Sequence, residues 1–216
     1  MKKGAIFDMD GLLLDTERIY QETWKEIAAD MGFELAPEQG MDFTGKAGAQ
    51  LCAAVAKHYH VEDGSAIVKE CADRAHKKLE NSVPEKPGIH ELLQFFRENG
   101  VKLAVASSSM KDVICHNIRL SGVEKYFDAV VSGFEVACGK PAPDVFLFAA
   151  EKLGLDPRDC YVFEDSISGV EAGYRAGCAT VMIPDILSPT EEVKKMYTAC
   201  YPSLLDALEE IKAGTL

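Results

Sequence analysis

Carboxylate, hydroxyl and ammonium side chains occur in four short segments of this 216-residue chain, and their chemistry suits phosphoryl transfer. Carboxylate oxygens bind Mg²⁺, which usually keeps several waters and also contacts a substrate phosphate. A carboxylate can attack phosphorus to form an aspartyl phosphate, while a second acid protonates the leaving oxygen. Lysine and serine can bind the phosphoryl oxygens as charge develops on them. The segments are Asp8-Met9-Asp10-Gly11, Ser107, Lys140-Pro141 and Glu164-Asp165.

Each segment alone is a weak signal, because a structural role accounts for it equally well. Pairs of the form D-x-D occur in many surface turns, and serine-rich loops are common. Gly139-Lys140-Pro141 is compatible with a simple turn, and Glu164-Asp165 could merely cap a helix that begins at Ser166. The segments therefore indicate chemistry only if the fold brings them together.

Short apolar runs indicate a parallel sheet that is covered on both faces, since they are nearly continuous rather than alternating. Helical periodicity follows most of them. In an open, doubly wound α/β sheet, the carboxyl ends of the strands face the ligand crevice. Three of the four segments lie at or just beyond a strand end, and Lys140 opens a helix, so this fold would collect all four. The predicted strands are 5–7, 101–106, 129–131, 160–163 and 179–183; the predicted helices are 89–96, 145–153, 166–176 and 204–211.

Residues 16–82 interrupt this alternation. They contain helical stretches around 17–31, 47–60 and 65–80, separated by glycine and proline, and no convincing strand. The sequence therefore predicts a discontinuous α/β core of residues 1–15 and 83–216, with residues 16–82 inserted as a helical domain.

Composition excludes several classes of protein. The net charge of −12 and the pI of about 4.9 argue against nucleic-acid binding, which needs a basic surface. Seven cysteines without a C-x-x-C pair predict neither a disulfide framework nor a zinc site. No apolar run has the length of a signal peptide or a membrane span. We expect a cytoplasmic protein with neither a nucleic-acid nor a membrane partner.

Taken together and in this order, the segments resemble the four motifs of the haloacid dehalogenase-like (HAD) superfamily. The similarity is to the branch that contains β-phosphoglucomutases and small sugar-phosphate phosphatases. It covers residues 3 to about 185, and it implies a Rossmann-like core with a mobile helical cap that closes over the site. The motifs are FDMDGLLLDTE at 7–17, ASSS at 106–109, GKPAPD at 139–144 and FEDSISG at 163–169.

The resemblance implies a role for each polar residue of the motifs. Asp8 would be the nucleophile, and Asp10 would be the general acid and base. Ser107 would bind a phosphoryl oxygen, and Lys140 would neutralise the nucleophile and the phosphoryl group.

The implied cofactor is Mg²⁺. Asp8 and Asp165 would bind it through their carboxylates, and Asp10 through its backbone carbonyl. Glu164 would hold a metal-bound water or act as a further ligand. Ser108, Lys46 and Thr16 are the expected contacts to substrate.

Two missing features of the mutases, a histidine and a basic cap motif, favour a phosphatase over a β-phosphoglucomutase. The mutases carry a histidine where this chain has Tyr20, and a lysine and an arginine in a cap motif where it has Thr44 and Gly48. A mutase must protect its phosphorylated intermediate from water, so losing these residues favours hydrolysis. The expected substrate is a small phosphorylated metabolite, and the expected state is a monomer. A mutase stays the alternative, and a catalytically silent interaction module the remote one.

Overall fold

Six parallel strands form the centre of the computed structural model, which describes residues 1–46 and 48–216. The sheet order is β3-β2-β1-β4-β5-β6, so β1 lies in the middle, between β2 and β4. This doubly wound α/β sheet confirms the predicted fold class. The strands are β1 (Gly4–Phe7), β2 (Lys102–Ser107), β3 (Ala129–Ser132), β4 (Cys160–Glu164), β5 (Ala179–Met182) and β6 (Ala199–Cys200).

Helices cover both faces of the sheet, and four more follow β1 directly in the chain. Helices α5, α6 and α9 contribute to the apolar cluster on one face, and α7 and α8 to the cluster on the other. The described helices are α1 (Thr16–Asp30), α2 (Pro37–Met41), α3 (Gly48–Tyr59), α4 (Ser65–Leu79), α5 (Ile89–Glu98), α6 (Lys111–Leu120), α7 (Asp144–Leu153), α8 (Ile167–Ala176) and α9 (Leu204–Ala213). None of them has the length and apolar character that a bilayer crossing requires.

Strand β1 shows why the sheet needs two apolar faces. Ala5 and Phe7 point into one cluster and Ile6 points into the other, as the period of two in a strand requires. Phe7 stacks on Phe163 at 4.8 Å between ring centroids, and Phe96 of α5 packs edge-on against both. This aromatic group lies directly beneath the carboxyl ends of β1 and β4.

Residues after β1 form a second apolar cluster of their own. Trp24 of α1 packs against Phe43 and Tyr59, with Cys71 of α4 also buried there. A separate cluster is what an inserted helical domain needs, since it gives α1–α4 their own core. The division at residues 16 and 83 stays a prediction.

Backbone pairing joins the two connections between these parts. Asp15 N donates to Pro84 O at 2.8 Å, and Lys86 N donates to Leu13 O at 2.9 Å. The Lys86 ammonium group lies 2.5 Å from Asp185 Oδ1 and 3.1 Å from Asp15 Oδ1. An ion cluster therefore ties the second connection to the loop after β5.

Three elements, α6, β6 and α2, were not predicted from the sequence. Helix α6 carries its buried residues Ile114 and Ile118 at i,i+4 spacing, but polar residues between them weaken the pattern. Strand β6 has two residues and α2 has five, which are too few to show the apolar periodicity of a strand or of a helix. Residue 47, where the predicted helical stretch 47–60 begins, lies outside the described residues; α3 begins at Gly48.

Replacing Phe96 with alanine should destabilise the protein by about 3–5 kcal/mol, because it leaves a cavity beneath the aromatic group. Phe95→Ala is the matched control. Because Phe95 is only half-buried, this replacement should lower the free energy of unfolding by on the order of 1 kcal/mol. Urea unfolding followed by circular dichroism measures both. Equal losses for the two variants would contradict the central position of Phe96.

Candidate active site

Polar groups from four loops meet at the carboxyl edge of the sheet. Asp8 follows β1, Ser107 ends β2, and Glu164 ends β4 with Asp165 after it. The parallel register puts Phe7 opposite both Val105 and Phe163, so the three strands end within two residues of one another at the same edge. The fold thereby brings the four sequence segments to one place, as expected.

Lys140 is the centre of this group. Its ammonium group lies 2.5 Å from Asp8 Oδ1 and 2.6 Å from Glu164 Oε1, and it donates to Ala106 O at 3.2 Å. The side chain is 6% exposed, and the ring of Phe146 lies 4.9 Å from the charge. A buried ammonium group in this position is held by two carboxylates and one carbonyl.

Burial and charge act in opposite directions on this pair. Burial alone would lower the pKa of Lys140, but Asp8 and Glu164 together raise it above its usual range. Burial raises the pKa of Asp8 to about 7, while Lys140 opposes the increase and the carboxylates of Glu164 and Asp10 add to it. Lys140 therefore stays charged, and it favours the ionised form of Asp8.

Asp10 is held by three hydroxyl groups. Thr16 Oγ1 donates to Asp10 Oδ1 at 2.7 Å. Ser109 Oγ and Ser107 Oγ donate to Oδ2 at 2.9 and 3.3 Å. These contacts come from α1 and from the loop after β2, so they orient the carboxyl group towards the space above Asp8.

Gly11 allows the loop after β1 to pass close to Asp165. Its φ of +87° is a left-handed conformation that glycine adopts without strain. A Cβ at this position would come within 2.4 Å of Asp165 Oδ2. Only a glycine therefore permits this approach of the Asp10-Gly11 backbone to the Asp165 carboxylate.

Asp165 is a buried acidic group close to two other carboxylates. It is 6% exposed, and burial, followed by the charges of Glu164 and Asp8, raises its pKa well above the usual range. Carboxylates placed like this need a cation to remain ionised together. The donor set therefore fits a hard divalent ion.

Mg²⁺ would be held by Asp8, Asp165 and the backbone carbonyl of Asp10. Within residues 1–46 and 48–216, no group of three or more Asp, Glu, His or Cys side chains is arranged to bind a metal alone. Mg²⁺ does not need such a cage, because one or two carboxylates with water and substrate phosphate are sufficient.

Two expected site residues lie behind the site rather than at its surface. Glu164 is fully buried, and its oxygens accept hydrogen bonds from Lys140 and from Ser166 N and Oγ. These contacts fill three of its acceptor positions and hold Lys140 in place, and its expected contact with a metal-bound water stays a prediction. Thr16 is also fully buried, and its hydroxyl donates a hydrogen bond to Asp10. Contrary to the expectation, it does not reach the substrate space.

A cavity of about 330 Å³ lies between the carboxyl edge of the sheet and helices α1, α3 and α4. Its size suits a small ligand. Ser108 and Lys46 line it, as expected for substrate contacts, but the Lys46 ammonium group is already bound by Asp42. Other residues around it are Asp8, Asp10, Glu17, Tyr20, Gln21, Trp24, Phe43, Leu51, Val68, His76, Ser107, Val113, Phe134, Lys140 and Asp165.

Sequence reasoning overlooked Glu17 as a site residue, although it quoted Glu17 within the first motif. The side chain lines the cavity, and burial raises its pKa to about 8, with the charges of Asp10, Asp185 and Asp8 adding to this. Its position one residue after Thr16, at the start of an amphipathic helix, was the available signal.

Comparison with known proteins agrees with this geometry. Residues 5–183 match the family model described as haloacid dehalogenase-like hydrolase. The chain belongs to the haloacid dehalogenase-like hydrolase family. This confirms the resemblance, and it places the protein among hydrolases as expected.

Relatives of this HAD-like hydrolase include named phosphatases. A phosphorylated carbohydrates phosphatase of Thermotoga maritima is 33% identical over 81% of this chain and 82% of its own length. The fructose-1-phosphate phosphatase YqaB of Escherichia coli is 29% identical over 82% of this chain and 94% of its own. A structure described as a candidate β-phosphoglucomutase, also from T. maritima, is 28% identical with a TM-score of 0.78, covering 98% of this chain and 99% of that one.

Asp165→Asn should stabilise the metal-free protein, because it removes a buried carboxylate that has no cation. The folded-state pKa is raised, so the stability contributed by the protonated form is lost as pH rises. The gain in Tm in EDTA should therefore be absent at acid pH and reach about 2–4 °C at pH 8, the shift produced by about 1 kcal/mol.

Calorimetric melting from pH 4 to pH 9 tests this expectation. Asp73→Asn is the control, since Asp73 is exposed and forms only a surface ion pair with Lys69. Added Mg²⁺ should raise the Tm of the wild type and have a smaller effect on Asp165→Asn. A lower Tm for Asp165→Asn at every pH would contradict the argument from burial.

Proposed function

We propose that this HAD-like hydrolase is a Mg²⁺-dependent phosphatase for a small phosphorylated metabolite, a monophosphate of a sugar or polyol. The observation that carries the proposal is the position of Asp8. One of its oxygens is bound to Lys140, which leaves Oδ2 for a phosphorus atom in the cavity. The carbohydrate phosphatases among the relatives support the choice of substrate class.

The first half-reaction transfers the phosphoryl group to the protein. Asp8 Oδ2 attacks phosphorus, and the ester P–O bond breaks. Asp10 gives its proton to the leaving oxygen, so the product leaves as a neutral alcohol. Bound Mg²⁺ would supply positive charge to the phosphoryl oxygens and to the Asp8 carboxylate. Lys140 and the Ser107 hydroxyl would bind the remaining oxygens as charge develops.

The second half-reaction returns the protein to its starting state. Asp10, now ionised, takes a proton from water as that water attacks phosphorus. The bond between phosphorus and the Asp8 oxygen breaks, which releases phosphate and regenerates the Asp8 carboxylate. The serine and threonine hydroxyls around Asp10 hold it in place for both proton transfers.

Residues 16–82 would serve as the cap over this site. Ser168 Oγ, in the helix after β4, donates to Gly45 O at 3.3 Å, so the loop before α3 touches the carboxyl edge of the sheet. A cap in this position excludes bulk water from the first half-reaction and contacts the leaving group. The backbone-paired connections near residues 15 and 84 would be its hinge.

The charges around the cavity favour hydrolysis over mutase chemistry. A mutase must bind a bisphosphate and so needs a cation for each phosphate. In the described part of the lining, both lysines are already neutralised: Lys140 by Asp8 and Glu164, and Lys46 by Asp42. Tyr20, which stands where the mutases have histidine, instead approaches His76 at 3.4 Å.

Phosphate release in Mg²⁺, measured against sugar, polyol and nucleotide monophosphates, tests the function. Release should stop in EDTA and in Asp8→Asn, because an amide is a poor nucleophile. Following glucose 6-phosphate from β-glucose 1-phosphate tests the mutase alternative. Glucose 6-phosphate without free phosphate would overturn the proposal.

Asp10→Asn should lower kcat by about 10²–10⁴-fold, the usual contribution of general acid–base catalysis. Metal affinity should change little, because the backbone carbonyl is the proposed ligand. Stopped-flow phosphate release and Mg²⁺ titration by calorimetry measure the two quantities. Turnover near that of the wild type would remove Asp10 from the mechanism.

Thr16→Val should lower kcat by roughly tenfold, because Asp10 loses an orienting hydrogen bond to its charged group. KM should stay within about twofold, since Thr16 does not line the cavity. Thr16→Ser keeps the hydroxyl and should restore most of the rate. An equal loss in both variants would point to packing rather than to the hydrogen bond.

A further inference from the structure

Glu17 has a carboxyl group that the proposed reaction does not use. It lies in the part of the cavity wall that is formed by α1, α3, α4 and the loop before α3, which we call the roof. It lies in the first turn of α1, one residue after Thr16, and its side chain faces the same space as Asp8 and Asp10. In the described part of the chain, no side chain or backbone group forms a hydrogen bond or ion pair with it. The same cavity is lined by the aromatic rings of Trp24 and Phe43 and by the carboxyl groups of Asp8 and Asp10.

The other polar groups of the roof already have protein partners. Gln21 Nε2 donates to Gly40 O and to Thr44 Oγ1, both at 3.0 Å. Tyr20 approaches His76, and Lys46 is bound by Asp42. Glu17 therefore stands apart as a roof group whose hydrogen-bonding capacity is left for a ligand.

Glu17 is half-buried, and a ligand in the cavity would remove its carboxyl group from water. A carboxyl group left without a partner then costs free energy, so a ligand that supplies the partner is favoured. The nearby carboxylates of Asp8 and Asp10 already make this end of the cavity negative. A second anionic group on the ligand would be repelled there, and an apolar group would leave the carboxyl unpaired. A neutral hydroxyl meets both requirements, since it can donate or accept.

We propose that Glu17 is a specificity-determining residue that binds a hydroxyl group of the leaving group and excludes a second phosphate from that end of the cavity. The proposal rests on the phosphatase function proposed above. Asp10 must lie beside the leaving oxygen, and Glu17 faces the same space, so the hydroxyl is one close to the ester carbon. The substrate class becomes monophosphates of polyols or sugars, with bisphosphates and alkyl phosphates disfavoured.

Matched pairs of esters with and without hydroxyl groups test the proposal. The pairs are glycerol 3-phosphate with propyl phosphate, and sorbitol 6-phosphate with hexyl phosphate. Wild-type kcat/KM should favour the hydroxylated member of at least one pair, on the order of 10–100-fold. Glu17→Ala should reduce this ratio to within about threefold and leave the alkyl phosphate within about twofold of wild type. Glu22→Gln, an exposed change on the same helix, should alter neither value.

Glu17→Gln separates hydrogen bonding from charge. The amide can still bind a hydroxyl, so part of the preference within each pair should remain. The negative charge is gone, so kcat/KM for fructose 1,6-bisphosphate should rise relative to fructose 1-phosphate by roughly tenfold. A ratio unchanged from wild type would show that Glu17 does not exclude the second phosphate.

Calorimetric binding in an Asp8→Asn background gives a reading that does not depend on turnover. The affinity for the hydroxylated esters should fall on adding Glu17→Ala, and that for the alkyl phosphates should not. If this holds while the wild type releases no phosphate, the phosphatase function fails and the hydroxyl site stands.

Several outcomes would overturn the role of Glu17. These are an unchanged ratio in Glu17→Ala, an equal loss for both members of a pair, or no binding of either hydroxylated ester. A preference for 2-aminoethyl phosphate over glycerol 3-phosphate would also overturn it, because it would make the partner an ammonium group.

Discussion

The contact of Lys140 with Asp8 and Glu164 is the interaction on which the rest of the site depends. Carboxylates from the ends of β1 and β4 must lie side by side, because the strands are hydrogen-bonded neighbours. Buried together without a cation, they would protonate and lose their function. The buried ammonium group opposes this for Asp8, and its third contact, to Ala106 O, anchors it to the end of β2.

Close packing around these charges then restricts the neighbouring backbone. A Cβ at Gly11 would strike Asp165, and a Cβ at Gly169 in α8 would come within 1.8 Å of Glu164. Both glycines make room for a carboxylate, so the acidic edge of the sheet could not form with larger residues there. The site has a surplus of negative charge as a result. Burial and the charges of Glu164 and Asp8 raise the pKa of Asp165, and a divalent cation bound there would offset this surplus.

The roof and the floor of the cavity, the floor being the carboxyl edge of the sheet, differ in how their polar groups are paired. The floor groups form hydrogen bonds and ion pairs with one another and suit a chemistry that is common to many phosphate esters. In the roof, Gln21, Tyr20 and Lys46 are paired with other protein groups, and Glu17 is the group proposed to contact the leaving group. On this proposal the sheet edge would carry out the chemistry, and the helices after β1 would provide the selectivity.

The order of apolar runs and polar segments was enough to determine the parallel α/β sheet and the meeting of Asp8, Ser107, Lys140 and Asp165. The physical reason is that strand ends in a parallel sheet share one edge, so position along the chain becomes position in space. Element boundaries were also readable where caps are local, as at Ser166, whose side chain accepts from Gly169 N.

Tertiary structure alone decided which of these polar groups face the cavity. Glu164 and Asp165 are adjacent in the chain, yet one is turned inward to Lys140 and the other faces the site. Thr16 and Glu17 divide in the same way between Asp10 and the cavity. Glu164 contacts Lys140, 24 positions away in the chain, and Asp10 accepts from Ser107 and Ser109 across 97 and 99 positions. No local pattern of residue types encodes such contacts, so the sequence alone could not show which polar groups face the cavity.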